Sequence, residues 1–244
     1  MVNALIFAGG VGSRMKSENI PKQFLKVEGI PIIIRTIEHF EKHVKIDNIV
    51  VVCIESWIDE LKRLLEEYNI NKVTNVIPGG NTGFQSIHGG LLKASEIMKD
   101  DDIILICDGV RPMLSDNLIS ECIEDATQYG SAVPVTESID SVLFSEDGKA
   151  SSKNFDRKKM FITQAPQGYK LNVIMDAHKR AEEKGVESVS SADLLIELGE
   201  EVHIFKGIRE NIKVTTPEDL EMLRSEQYFK RFQEFAREEL AVEQ

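Results

Sequence analysis

The stretch ALIFAGGVGSRMKSENIPKQF, residues 4–24, decides the fold. Five apolar residues, 4–8, read as a short buried strand, and they run directly into a turn carrying Gly9, Gly10 and Gly12. A glycine-rich turn after a first strand presents backbone N–H groups to an anion, and Arg14 and Lys22 add two cations to the same loop. Two common phosphate loops fail on spacing. A dinucleotide fingerprint needs a third glycine where Met15 stands, and a P-loop needs a Gly-Lys-Ser/Thr run that is absent.

Working outward, apolar β-rich runs at 48–54, 72–77 and 102–108 alternate with helical patterns at 31–43, 57–69 and 84–98. This alternation predicts right-handed βαβ units and an α/β, Rossmann-like, doubly wound, mostly parallel sheet through about residue 135. The rhythm changes over 133–167, where short strand candidates are joined by EDGK, an Asp-Gly turn signal. The expectation is a protruding β-arm at about 137–162 on a single domain spanning 1–244. Helices follow near 171–184 and 190–199, then a strand in EVHIFKG (201–207). NIKVTTPEDL (211–220) reads as a strand leading into a helix, with Thr216 as N-cap, Pro217 at the first helical position and acids in the first turn. That C-terminal helix is expected over about 217–240, with Leu220, Leu223, Phe232, Phe235 and Leu240 on one side.

The chain of 244 residues is 42% apolar, enough to bury a substantial core. Its net charge of −12 excludes broad nucleic-acid binding, so any phosphate it holds must meet a local cluster of cations. No run approaches a membrane span and no signal peptide is evident, which predicts a cytoplasmic protein with no membrane partner. Cys53, Cys107 and Cys122 form no CxxC pair and read as small core residues of a reducing compartment, and the five histidines show no metal-ligand spacing.

The string Gly9, Gly10, Gly12, Arg14, Met15, Pro21-Lys22-Gln23 resembles the signature of sugar-phosphate nucleotidyltransferases. GGNTGFQS (79–86), CDGVRP (107–112), FDRKKMFITQAPQ (155–167) and NIKVTTPEDL narrow it. In this order and spacing the segments are similar to those of the polyol-phosphate cytidylyltransferases, the family of the ribitol-5-phosphate and 2-C-methyl-D-erythritol 4-phosphate enzymes. The resemblance covers nearly the whole chain. KQFLKVEGIPIIIRTIEHF and WIDELKRLLEEYNI look more like the ribitol-phosphate branch.

The resemblance implies a fold of the nucleotide-diphospho-sugar transferase type and transfer of CMP from CTP to a polyol or sugar phosphate, giving a CDP-polyol and pyrophosphate. It places Ala8, Gly9, Gly10 and Gly12 along the ribose and triphosphate, and Gly80, Asn81 and Ser86 at the cytosine, with Gly109 also in the CTP site. Arg14 and Lys22 would hold the triphosphate, Lys213 would approach the α-phosphate, and Asp108 would hold Mg²⁺. Arg111, Ser141 and Arg157 match positions that bind the acceptor phosphate. Ser141 and Arg157 lie in the arm, which in the family reaches the neighbouring subunit's site, so a homodimer is implied. Physically, nucleotidyl transfer gathers negative charge on the α-phosphoryl oxygens and on departing pyrophosphate, and fixed cations there favour the transition state over the ground state.

The chain departs from the pattern at Gly83, usually arginine, at Cys107, usually histidine, at Gly109, usually alanine, and at Ala165, usually threonine. Where the family has an Asp after Thr or Ser near 190, this chain reads VSSAD, leaving Ser190 or a displaced Asp193. The main cation set survives, so the differences read as a shift in acceptor. The alternatives are the methylerythritol-phosphate reaction of isoprenoid synthesis and a catalytically silent nucleotide-binding homologue.

Overall fold

The computed structural model describes residues 1–10, 15 and 20–226. Four adjacent strands of its main sheet are β1 (Val2–Ala8), β4 (Asn48–Cys53), β5 (Val73–Pro78) and β6 (Ile103–Asp108). All pair in parallel, with β1 between β4 and β6. Two short strands, β2 (Lys26–Val27) and β3 (Ile30–Pro31), make a small separate pair after the glycine loop. Helices α1 (Ile32–Lys42), α2 (Ile58–Glu67) and α3 (Gly83–Ser95) fall where the apolar spacing predicts them.

Alternation of side chains across the central strands divides the core into two layers. Ala4, Ile6 and Ala8 of β1 pack with Ile34, Ile37 and Phe40 of α1 and Leu61 and Leu64 of α2. Leu5, between them in sequence, faces Phe84, Ile87 and Leu91 of α3 on the other side. Burial on both faces explains why these strands are nearly continuous in apolar residues.

The sequence reading leaves 109–132 without an element, yet α4 (Asp116–Tyr129) fills most of it. Its signals are ordinary ones: Ser115 caps the N-terminus through Leu118 N, and Gly130 ends it at a φ of 83°. Strand β7 (Ser131–Glu137) follows, and the chain then leaves the main sheet for the expected arm. There, β8 (Leu143–Phe144) and β9 (Lys153–Asn154) pair antiparallel. Asp147 Oδ1 accepts from Lys149 N and Ala150 N, and Gly148 takes a φ of 70° in the connecting turn. The chain returns as β10 (Phe161–Thr163), antiparallel to β7, and β11 (Gln167–Lys170), antiparallel between β6 and β7. Helices α5 (Leu171–Lys184) and α6 (Ser191–Glu197) and strand β12 (Ile204–Lys206) complete the body, with β12 parallel to β7. The main sheet thus has eight strands, seven of them in the order β10-β7-β11-β6-β1-β4-β5.

The strand expected in NIKVT does not form. Residues 211–215 run as an irregular strap with one backbone bond to the 109–115 segment, Val214 N to Val110 O at 2.9 Å. Side chains from elsewhere take its carbonyls in place of a neighbouring strand. The helix that follows does begin at 217. Thr216 N donates to Asp219 Oδ2 at 2.8 Å and Thr216 Oγ1 accepts from Asp219 N at 3.4 Å, a reciprocal cap. Leu220 and Leu223 are buried against Val27, Ile32 and Met113 as expected. Phe232, Phe235 and Leu240 lie outside the described residues.

Candidate active site

Strand β1 lies between β4 and β6, and the chain passes from β1 to β4 on one side and from β6 to β7 on the other, so the carboxyl ends of β1 and β6 meet at a topological switch point, where open α/β sheets place their ligands. Phe7 is paired with Asp108 in the sheet register, and Gly109 N donates to Phe7 O at 3.0 Å. Gln23 Nε2 donates to Ala8 O at 2.6 Å and to Gly10 O at 3.2 Å, which ties the start of the glycine loop to the 3₁₀ turn Lys22–Phe24. The loop after β5 closes the other side. A Cβ on Gly9 would sit 3.2 Å from Ser86 Oγ and 3.4 Å from Gly79 Cα, so the two loops touch through glycine backbone. Ser86 Oγ accepts from Gly80 N at 3.0 Å and donates to Thr82 O at 2.9 Å. Asn81 is exposed at the rim, its N–H bonded to Gln85 Oε1.

Asp108 is the electrostatic centre. Its Oδ2 accepts from Arg111 Nε at 2.9 Å and its Oδ1 lies 2.5 Å from Lys213 Nζ. Burial by itself would push this carboxyl up; the Arg111 and Lys213 charges and hydrogen bonds outweigh it and hold it below the usual carboxylate range. Lys22 Nζ donates to Val214 O at 3.1 Å, so it stands beside the strap carrying Lys213. Residues from widely separated stretches of sequence therefore meet within one small volume.

A cavity of about 270 Å³ opens on this cluster. Asp108, Arg111 and Lys213 form one part of its wall, and Thr163, Gln164, Gln167, Ser190 and Asp193 contribute another. Ser190 caps α6, donating to Asp193 Oδ2 at 2.8 Å and accepting from Asp193 N, so both stand as polar groups facing the cavity where the sequence departs from the family. Gly109 has a steric reason for lacking the family's methyl group: a Cβ there would come 2.8 Å from that of Ala8.

The structure thus brings together Ala8, Gly9, Gly10, Gly80, Ser86, Asp108, Gly109, Arg111, Lys22 and Lys213. Gly12 and Arg14 fall outside the described residues. Ser141 and Arg157 do not line the cavity; they are exposed on the arm, where Arg157 Nη1 donates to Ile139 O at 2.8 Å. Sequence reasoning assigned no role to Gln164 or Asn211, both buried polar residues in the motif segments. Their only signal was an amide standing before Ala165-Pro166 or before Ile212-Lys213.

The 2-C-methyl-D-erythritol 4-phosphate cytidylyltransferase (IspD) family model matches residues 2–231. The chain belongs to that family. Ribitol-5-phosphate cytidylyltransferase of Vibrio parahaemolyticus serotype O3:K6 is 42% identical over 217 residues, covering 88% of this chain and 91% of that protein. The 2-C-methyl-D-erythritol 4-phosphate cytidylyltransferase of Clostridium botulinum strain Langeland is 34% identical over 218 residues, covering 89% and 93%. Among solved structures, the 2-C-methyl-D-erythritol 4-phosphate cytidylyltransferase of Thermus thermophilus superposes with a TM-score of 0.74 at 26% identity over 92% of this chain and 98% of that one. The resemblance to nucleotidyltransferases and its narrowing to cytidylyltransferases of polyol phosphates are borne out by this family.

Proposed function

We propose that this protein transfers CMP from CTP to a polyol phosphate, releasing pyrophosphate, with a ribitol-5-phosphate-like acceptor favoured over methylerythritol phosphate. The observation that carries the reading is the convergence of Lys213 and Arg111 on buried Asp108 at the switch point, beside the glycine loop and Lys22. The greater identity to a ribitol-phosphate enzyme supports the choice of acceptor.

The acceptor's phosphate is already anionic at neutral pH, so no side-chain nucleophile is required and positioning with charge neutralisation carries the rate. The glycine loop and the 79–86 loop would hold the triphosphate and the base, with Ser86 and Gly80 at the cytosine edge. Lys22 and Arg14 would draw charge from the β- and γ-phosphates, and Lys213 from the α-phosphoryl oxygens as the new P–O bond forms. Arg111 would face the acceptor phosphate.

Mg²⁺ fits this donor set. Among the described residues no group of three or more His, Cys, Asp or Glu gathers. Magnesium, however, commonly uses one or two carboxylates and takes its other ligands from phosphates and water. Each Asp108 oxygen contacts one cation here and keeps a second lone-pair direction. Bound there, the ion would neutralise phosphate oxygens and orient them.

A homodimer is part of the proposal. The arm exposes Leu143, Phe144 and Phe155, and Ser141 and Arg157 lie on it outside their own chain's cavity wall. Packing of the arm on a second copy would cover that apolar surface and bring both residues to the neighbour's acceptor. Among the described residues no helix is long and apolar enough to cross a membrane.

The deciding experiment measures pyrophosphate release from CTP and Mg²⁺ with ribitol 5-phosphate, methylerythritol 4-phosphate, ribulose 5-phosphate, arabinitol phosphate and glycerol 3-phosphate. Strongest release with ribitol 5-phosphate is expected. Preference for methylerythritol 4-phosphate would move the protein to the other branch, and silence with every acceptor while CTP still binds would overturn the enzymatic reading.

A further inference from the structure

Lys213 sits on an irregular strap, so something other than a helix or strand must place its ammonium on the reacting phosphate. The strap's anchors are specific. Gln164 Nε2 donates to Ile208 O at 2.8 Å and to Asn211 O at 3.3 Å. Arg111 Nη1 donates to that same Asn211 carbonyl at 2.9 Å, and Asn211 Nδ2 donates back to Ala165 O at 2.6 Å. Gln164 and Asn211 are both buried. One amide therefore holds the approach to Lys213 at the Ile208 and Asn211 carbonyls, and shares the second of them with the arginine that grips Asp108.

The Gln164 amide is itself fixed by its surroundings. Its Oε1 is buried without a hydrogen-bond partner among the described residues, and a Cβ placed on Gly207 would collide with it. Gly207 is bound to β7 through Val135 O at 2.8 Å, so the glycine is held on the sheet edge and leaves the amide its space. A fully buried acceptor without a partner is unfavourable, and it persists here where the amide's nitrogen is directed at the strap.

We propose that Gln164, seated against Gly207, is a positioning residue that sets Lys213 on the α-phosphate by clamping the 208–211 carbonyls. The proposal rests on the cytidylyl-transfer reading, in which Lys213 acts on the transferred group. Gln164 acts through the strap, and the Asn211 carbonyl links the clamp to the Arg111–Asp108 pair. Displacement of Lys213 by even an ångström would lower turnover by roughly ten- to a hundredfold.

The test is a double-mutant cycle on the full-length enzyme, with pyrophosphate release at saturating CTP and the acceptor identified by the panel. Gln164→Met preserves volume while removing the donor, and Gly207→Ala displaces the amide without altering it. Each is combined with Lys213→Ala. In the parent background each single change is expected to lower kcat by about tenfold or more while KM for CTP stays near the parent value. In the Lys213→Ala background neither is expected to lower kcat further, because the group being positioned is gone. Urea denaturation of each variant verifies folding, and Gly207→Ala carries the test if Gln164→Met fails to fold. Additive losses would mean that Gln164 touches substrate itself or serves stability alone, and would overturn the proposal. Unchanged kcat in both single variants would overturn it as well. An inactive parent, by contrast, would refute the cytidylyl-transfer reading beneath it, and an active Lys213→Ala enzyme the role given to Lys213.

Discussion

Removing each half of the Asp108–Lys213 pair is expected to differ in its cost to stability. The Asp108 side chain is 9% exposed and so is that of Arg111, whereas Lys213 is 44% exposed. Asp108→Asn leaves a buried guanidinium without its counter-charge, a change that costs about 3–5 kcal/mol when one partner of a buried pair is lost. Lys213→Met removes a half-exposed ammonium while Asp108 keeps Arg111, so its cost is held to about 1 kcal/mol or less by solvent screening. Catalysis should not follow stability for Lys213. Loss of one fixed donor to developing oxyanion charge lowers kcat by about 10²–10³, so Lys213→Met should be nearly as stable as the parent and almost inactive. Paired urea melts and pyrophosphate-release rates measure both quantities on the same preparations. If Lys213→Met unfolds as readily as Asp108→Asn, or turns over at near-parent rates, the reading of Lys213 as a catalytic cation that adds little to stability is wrong.

His178 supplies a pH prediction. It is buried against Phe84 and His88, with ring centroids 4.5 and 5.3 Å away, and burial followed by the His88 charge pushes it down from 6.5 to about 4. Above pH 6.5 neither folded nor unfolded chain protonates it; below that the unfolded chain binds a proton which the native state refuses until about pH 4, so stability should fall by roughly 3 kcal/mol across the window. His178→Leu should flatten that part of the urea-stability profile, and an unchanged profile would rule out His178 as its source. Gly80→Ala would force a Cβ to 2.5 Å from that of Gln85 and so distort the loop around Ser86; KM for CTP is expected to rise about tenfold or more with acceptor KM little changed. Equal changes in both constants would count against a nucleotide role for this loop.

Much of this was legible in the sequence because it is local. The alternation that buries Ala4, Ile6 and Ala8 on one face and Leu5 on the other is written in the strand itself, and the Asp147-Gly148 turn announces the arm. Thr216 and Pro217 mark a helix start by capping chemistry that involves only their neighbours. Failures came where context decided. NIKVT has the composition of a strand, yet its carbonyls bond to Arg111, Gln164 and Lys22, so no neighbouring strand is needed and none is paired.

The sequence by itself therefore determined the βαβ order, the glycine loop and the family to which the motifs belong. Periodicity, turn chemistry and motif spacing are properties of short segments, and they remain readable before the chain folds. Only the tertiary structure decided that Asp108, Arg111 and Lys213 form one cluster, that Lys22 and Gln164 hold the strap beside it, and that Gly207 leaves room for the Gln164 amide. Those contacts join residues separated by as much as 192 positions. They form because buried polar groups must find partners, and which partners lie within reach is set by how the strands order themselves in the sheet.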